Sequence, residues 1–213
     1  RYPMSFPDFK QNYFELFNLP VQFALDQDTL GQHFRHLQQE LHPDRFASDS
    51  AQAQRLAVQY SAMVNEAYAT LSKPQSRAVY LLQLAGMSQQ TIDAEHIDGG
   101  FLIEQMDLRE KLESIHALVD PDTVLEHLIT EITRDIATHQ REFAEAFAAD
   151  DLAGAASACV KMQYLDKLLL QAEQIESDAG QQMDNQVYNL VRIGGNTEEI
   201  AVEGKAEHTD RPP

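Results

Sequence analysis

The sequence predicts an all-α protein built from two helical domains. Apolar residues recur at spacings of three and four along most of the chain, which is the period of amphipathic helices. Proline, glycine and short polar stretches interrupt this pattern at a few places, and each interruption falls between two amphipathic segments. A longer polar stretch, at residues 87–99, divides the predicted helices into two sets.

The first predicted domain covers residues 12–86 and opens with two helices. A short aromatic helix over 12–18 is stopped by Leu19-Pro20. The next helix follows aspartates suited to N-capping and carries one apolar stripe, formed by Leu30, Phe34, Leu37 and Leu41. Pro43 ends this helix, because proline donates no N–H and disfavours helical geometry in the residue before it.

Two further helices complete the first domain. After a polar loop over 44–50, a long helix is predicted from Ala51 to about Leu71, with its apolar residues on one side. A short fourth helix covers about 75–85, and Gly86 stands where a C-terminal cap is expected. The two long helices are therefore predicted to form a hairpin, with one short helix before it and one after it.

The second predicted domain covers residues 100–178 and is an antiparallel three-helix bundle. Its helices are predicted at about 101–118, 122–149 and 152–177. Pro121 stands at the first position of the middle helix, where proline is well tolerated. The preceding residues, 87–99, lack apolar periodicity and are interpreted as a linker.

The composition changes again after Gly180. Residues 186–193 have the composition of a strand, but the sequence offers no partner strand, and the remainder is rich in Gly, Glu, Asp and Pro. We therefore expect a disordered tail over 179–213, to which the sequence assigns no role.

The net charge of −18 is concentrated in the second part of the chain. Residues 1–90 contain 7 Lys/Arg and 8 Asp/Glu, whereas residues 91–213 contain 9 and 26. Such an acidic chain repels phosphate backbones and anionic membranes, so neither nucleic acid nor a membrane is an expected partner. No secretory signal pattern is present, and the single cysteine, Cys159, is interpreted as a buried, reduced thiol. These features favour a cytoplasmic protein.

The tripeptide His42-Pro43-Asp44 stands between the two long helices of the first domain. By itself it is compatible with a simple proline helix stop followed by a hydrophilic loop. With short helices before and after the hairpin, the arrangement resembles the J-domain, in which a His-Pro-Asp turn contacts a DnaK-type ATPase chaperone. The resemblance implies that these three residues stimulate ATP hydrolysis by that partner. Proline stiffens the turn, and the carboxylate is suited to a charge-assisted bond from an arginine of the chaperone.

A basic face is a second feature of J-domains, on the solvent side of the helix before the turn. Here that helix offers Arg35 with His33 and His36, and Arg45 follows just past the turn. Glu40 makes the face less basic. The resemblance implies chaperone contacts for Arg35 and Arg45, and the alternative is an ordinary solvated helix surface.

The resemblance extends into the second domain and narrows the family. Residues 101–112 (FLIEQMDLREKL), 164–168 (YLDKL), 12–17 (NYFELF) and 77–86 (RAVYLLQLAG) are similar to the HscB family of bacterial iron–sulfur cluster assembly. The similar segments occur in the family's order and cover about residues 12–178. The resemblance implies that the chain binds the scaffold protein IscU, delivers it to the DnaK-type chaperone HscA and stimulates its ATPase.

The resemblance also implies a client-binding patch on the second domain. It consists of apolar and acidic residues, namely Leu102, Ile103, Met106 and Tyr164, with Asp107 and Glu110 at the rim. The three apolar residues near 102–106 share one helical face, because they are three or four residues apart. The alternative is that these residues belong to the bundle core.

Two departures from the family pattern concern this patch. Tyr164 stands where a phenylalanine is expected, so its hydroxyl should stay solvated. Ser114 stands where the family can carry another carboxylate.

The sequence also bears on two other functions. A general J-domain folding co-chaperone often carries a Gly/Phe-rich segment or Cys-rich zinc repeats, and this sequence has neither. An enzyme is not predicted, because the sequence lacks His-Glu-x-x-His, a phosphate-binding loop and a nucleophile elbow. His33 and His36 have no evident third ligand, so the sequence predicts no metal site, no cofactor and no catalytic residue.

Overall fold

The computed structural model describes the backbone of residues 10–203 and, apart from Pro43, the side chains of residues 10–181. Within that part of the chain it contains eight α-helices, two short 3₁₀ helices and no strand. The prediction of an all-α protein is confirmed.

The first four helices form the predicted hairpin with its two short flanking helices. They are α1 (Tyr13–Leu16), α2 (Gln27–Leu41), α3 (Ala51–Ser72) and α4 (Pro74–Leu84). The long pair is held by its apolar stripes, and Phe34 of α2 stacks on Tyr68 of α3 with ring centroids 4.0 Å apart. The apolar spacing in the sequence thus positions the turn between α2 and α3 at one end of a packed hairpin.

Polar side chains fix the starts of these helices. The Asp26 carboxylate accepts the backbone N–H of Asp28 at the start of α2, and the Ser50 hydroxyl accepts that of Ala53 at the start of α3. Each bond satisfies a donor that has no partner within its own helix. Helix α1 is shorter than predicted, because Asn18 has a φ of 52° and the chain leaves helical geometry before it.

The second domain consists of α6 (Gly99–Glu113), α7 (Pro121–Ala148) and the first half of α8 (Leu152–Glu203). Helix α6 ends before the predicted residue 118, and Ile115–Ala117 forms a 3₁₀ helix instead. The bundle has its own apolar core, which includes Phe101, Leu108, Leu112, Leu125, Leu128, Ile132, Leu165 and Leu168.

A second apolar core is shared between the two domains. Phe143 of α7 is fully buried and contacts Phe23 of the first domain, with ring centroids 4.8 Å apart. The guanidinium of Arg77 lies over the Phe23 ring, 4.9 Å from its centroid. Arg77 also donates to the Leu71 carbonyl at 2.6 Å, and burial lowers the pKa of its guanidinium. We call this cluster of Phe23, Arg77 and Phe143 the domain seam.

The single cysteine belongs to the same shared core. Cys159 is fully buried and free, as its alanine-rich helical context predicted. The Gln75 side-chain amide of α4 donates to the Cys159 carbonyl at 3.4 Å. Burial raises the pKa of the Cys159 thiol to about 11, so the thiol stays protonated and unreactive at neutral pH.

The stretch interpreted as a linker is not simply a linker. Within residues 87–99 the structure contains a short helix, α5 (Gln89–Asp93), capped by Ser88. Its residue Ile92 is fully buried in the shared core. The two isoleucines of this polar stretch, Ile92 and Ile97, are five residues apart and show no helical period, so the sequence pattern does not predict this helix.

The prediction of a disordered tail over 179–213 also differs from the structure. Helix α8 continues through Glu203, and residues 186–193, which have strand-like composition, lie within it. Residues 204–213 lie outside the described residues.

Candidate functional site

The turn between α2 and α3 is held by backbone geometry and one side-chain bond. His42 ends α2 and precedes the 3₁₀ helix Pro43–Phe46, which proline begins. The backbone N–H of Asp44 donates to the His42 ring nitrogen Nδ1 at 3.3 Å, and the Arg45 N–H donates to the His42 carbonyl at 3.0 Å. The histidine thus caps the short helix that follows it.

Both polar side chains of the tripeptide face solvent. The Asp44 side chain is 91% exposed and that of His42 is 59% exposed. Phe46, at the end of the same 3₁₀ helix, is buried and anchors the turn against the hairpin. A rigid turn with an exposed carboxylate is suited to receive a cationic group of a partner.

The predicted basic face is smaller in the structure than in the sequence. Arg35 is exposed and, together with His42 and Arg45, lines a groove beside the turn. Arg45 donates to the Glu40 carboxylate at 2.9 Å and to the Gln39 carbonyl at 3.2 Å, so its charge is partly compensated.

His33 does not belong to this face. It is half-buried, and its ring nitrogen Nδ1 contacts the Phe17 carbonyl after α1. His36, three residues further along α2, is exposed. The helical period alone does not reveal that the chain just after α1 lies against this part of α2.

The four apolar residues of the predicted patch are exposed. Met106 is 70% exposed, Ile103 63%, Leu102 40% and Tyr164 39%. Phe101, one residue before Leu102, is buried in the bundle core. The alternative that the patch residues fill the core is therefore wrong, and we keep the name client patch for Leu102, Ile103, Met106 and Tyr164.

Carboxylates stand beside the client patch. Asp107 and Glu110 of α6 are both exposed. The Ser114 hydroxyl is turned back to its own helix and donates to the Glu110 carbonyl at 2.9 Å. The rim of the patch is therefore acidic at two positions, and Ser114 adds no charge to it.

An ion pair joins the two helices that carry the client patch. Asp98 caps α6 by accepting the Phe101 N–H at 2.8 Å, and its second oxygen receives Lys161 of α8 at 2.9 Å. These bonds lower the pKa of the Asp98 carboxyl. Lys161 also lies over the Phe101 ring, and the Tyr164 ring meets that of Phe101 edge-on at 6.4 Å. Asp98 and Lys161 are not among the site residues predicted from the sequence, although an aspartate before Gly99-Gly100 is a capping signal.

One buried polar group lies beneath the patch. Gln105 of α6 is buried, and its carbonyl oxygen has no hydrogen-bond partner among the described residues. It occupies the row of α6 between Phe101 and Leu108, where the sequence pattern predicts only apolar residues.

The part of the chain that the structure describes offers neither a metal-binding cluster nor a membrane-spanning helix. No group of three or more His, Cys, Asp or Glu side chains there is arranged to hold a metal ion. No helix among these residues is long and apolar enough to cross a membrane.

Comparisons with known proteins match both domains. Residues 12–80 match the DnaJ domain, and residues 97–186 match the HSCB C-terminal oligomerisation domain. A co-chaperone protein HscB homolog from Vibrio cholerae is 40% identical over 165 residues, which are 78% of this chain and 96% of that protein. A co-chaperone protein HscB homolog from Shewanella loihica is 40% identical over 168 residues, which are 78% of this chain and 97% of that protein.

Solved structures give the same result. The chaperone HscB from Vibrio cholerae matches with a TM-score of 0.73 and 39% identity, over 79% of this chain and 99% of that one. The human co-chaperone protein HscB matches with a TM-score of 0.73 and 28% identity, over 80% of this chain and 84% of that one.

Proposed function

Because the chain belongs to the HscB family of J-domain co-chaperones, we propose that it binds an IscU-like scaffold protein and delivers it to an HscA-like chaperone. Membership makes it a co-chaperone of iron–sulfur cluster assembly that works with a DnaK-type ATPase. The finer assignment of each surface to a partner is the proposal. We place this work in the cytoplasm, where a lone buried thiol such as Cys159 stays reduced.

The turn at residues 42–44 is proposed to contact the chaperone. His42 and Pro43 hold the turn in one conformation, so little conformational entropy is lost when it docks. Asp44, whose carboxylate is almost fully exposed, is proposed to accept a bond from an arginine of the ATPase. Hydrolysis takes place in the partner, and this chain supplies the contact that favours it.

The groove beside the turn is proposed to widen this contact. Arg35 is exposed and free to face an acidic chaperone surface. Arg45 reaches the same surface only after it leaves Glu40, so its contribution is smaller. Steering by such exposed charges acts mainly on the association rate and weakens with salt.

The client patch is proposed to receive the scaffold. The observation that carries this proposal is the division of α6 into two rows of apolar residues. One row, with Phe101, Leu108 and Leu112, fills the bundle core, whereas Ile103 and Met106 face solvent. Exposed long apolar side chains beside carboxylates are typical of a protein-binding surface. The acidic residues Asp107 and Glu110 suit a partner with basic side chains around an apolar centre.

Calorimetric titration of purified IscU tests the proposal. The variant Leu102→Ala, Met106→Ala, Tyr164→Ala should lose most of the binding, because central apolar anchors often contribute about 2 kcal/mol or more each. A matched control replaces three exposed valines outside the patch, Val21, Val58 and Val119, with alanine. The control should bind like the wild type. Wild-type binding by the patch variant would show that the client site lies elsewhere.

A further inference from the structure

A groove lies beside the client patch, between α5 with the loop after it and the exposed side of α8. Leu102 and Tyr164 line it, so the groove and the client patch form one continuous surface. Ile97 and Val160, which also line it, are half-buried and buried respectively and give it an apolar part. We call it the α5 groove.

The charges of the α5 groove are arranged on opposite sides. Asp93 and Glu95 come from α5 and the loop after it, and Lys167 comes from α8. The Lys167 ammonium lies over the Tyr164 ring at 5.6 Å from the centroid. Asp93 accepts the Gln89 side-chain amide at 2.8 Å. Among the described residues neither carboxylate forms a salt bridge.

The α5 side of the groove is fixed to the first domain. Ile92, one residue before Asp93, is fully buried in the core that the two domains share. The Asp93 carboxylate is therefore held by a packed helix and not by a free linker. A group bound between α5 and α8 contacts the second domain and the segment that joins the two domains at once.

We propose that the α5 groove is a second client subsite, which takes a lysine or arginine side chain of the scaffold. This inference rests on the proposed function, because it assumes that the scaffold covers the client patch next to the groove. The aliphatic stem of a long basic side chain is suited to the apolar surface of Ile97 and Val160. Its cation is suited to Asp93 and Glu95, neither of which forms a salt bridge among the described residues. Occupation of this subsite fixes the orientation of the scaffold relative to the chaperone-binding turn.

The test is titration of purified IscU into full-length variants at low and high salt. Asp93→Asn with Glu95→Gln should weaken binding about tenfold at low salt, the loss expected for two partly exposed ion pairs. The loss should shrink at about 0.5 M salt, because screening already weakens these pairs in the wild type. Asp93→Asn keeps the oxygen that accepts from Gln89, and thermal melting checks that α5 stays folded.

Two controls separate the contribution of the groove to binding from the effect of the overall net charge. Glu126→Gln with Glu145→Gln removes the same two charges from exposed positions of α7 and should leave binding unchanged. Asp93→Glu with Glu95→Asp keeps both charges and should bind within about twofold of the wild type.

The outcomes separate this subsite from the client patch. If the groove variant binds normally at low salt while the patch variant does not, the subsite is wrong and the client patch stands. If the patch variant binds normally, the proposed function fails and the groove inference fails with it. An equal loss in the α7 control would assign the effect to net charge and overturn the subsite.

Discussion

The turn at residues 42–46 presents fixed backbone geometry and one exposed carboxylate, whereas the client patch presents apolar area and almost no fixed polar geometry. The turn is defined by neighbouring residues, because His42 caps the helix that Pro43 begins. The patch is defined by distant ones, because its exposure depends on Phe101 and Leu108 filling the bundle core in its place. Changing one polar atom should therefore inactivate the turn. At the client patch, binding should weaken with the apolar surface area that a substitution removes.

The largest expected effect is at the turn. His42→Gln or Asp44→Asn should abolish stimulation of the chaperone ATPase, while circular dichroism shows an unchanged helical fold. Asp49→Asn is the matched control, because Asp49 is exposed, lies in the same loop and carries the same charge. If Asp44→Asn stimulates the chaperone ATPase like the wild type, the proposal that this turn contacts the chaperone is wrong.

A substitution in the domain seam tests how strongly the two domains, and with them the turn and the client patch, are held together. Phe143→Ala removes a fully buried ring that contacts Phe23, and should lower the free energy of unfolding by about 3–5 kcal/mol. Urea unfolding of the full chain measures this loss. A loss below about 1 kcal/mol would indicate that the contact between the domains is weak.

Helix α6 allows a buried and an exposed apolar residue of the same helix to be compared. Leu108→Ala should cost about 2–5 kcal/mol of stability, because it leaves a cavity in the bundle core. Met106→Ala should cost about 0.5 kcal/mol or less, since its side chain is mostly exposed. Binding of IscU should show the opposite order once Leu108→Ala is measured below its melting temperature. Equal stability losses would contradict the division of α6 into two rows.

The smallest expected effect is at Arg45. Its pair with Glu40 is half exposed, so Arg45→Gln should change the free energy of unfolding by about 0.5 kcal/mol or less. Stimulation of the chaperone should fall by a few fold and only at low salt. A loss as large as that of Asp44→Asn would place Arg45 at the centre of the contact.

The local parts of both surfaces could be predicted from sequence, and the contacts between distant segments could not. Proline after an amphipathic helix predicts the turn at Pro43, and spacings of three and four predict a common face for Leu102, Ile103 and Met106. Periodicity does not say which partner a face meets. For that reason it left open whether Met106 is core or surface, and it did not reveal that His33 faces the Phe17 carbonyl.

The differences from the sequence prediction at residues 87–99 and 179–213 also arise because a local pattern does not show the rest of the structure. Ile92 is the only residue of α5 that is buried, and one apolar residue in a polar stretch carries no period. The strand-like composition of residues 186–193 and the polar residues after them predict a disordered tail, but the preceding helix continues through residues 186–193 in the structure. Propensity is a weak guide where a long helix can simply propagate.

The separation of the turn from the client patch is tested most directly with both surfaces in one ATPase assay. Asp44→Asn and the triple alanine variant of Leu102, Met106 and Tyr164 are each added to HscA, with and without IscU. We expect Asp44→Asn to bind IscU normally by calorimetry but to give no stimulation. The triple variant should stimulate HscA like the wild type without IscU and lose the additional stimulation that IscU brings. If each variant loses both activities while remaining folded, the chaperone contact and the scaffold contact are not made by two separate surfaces.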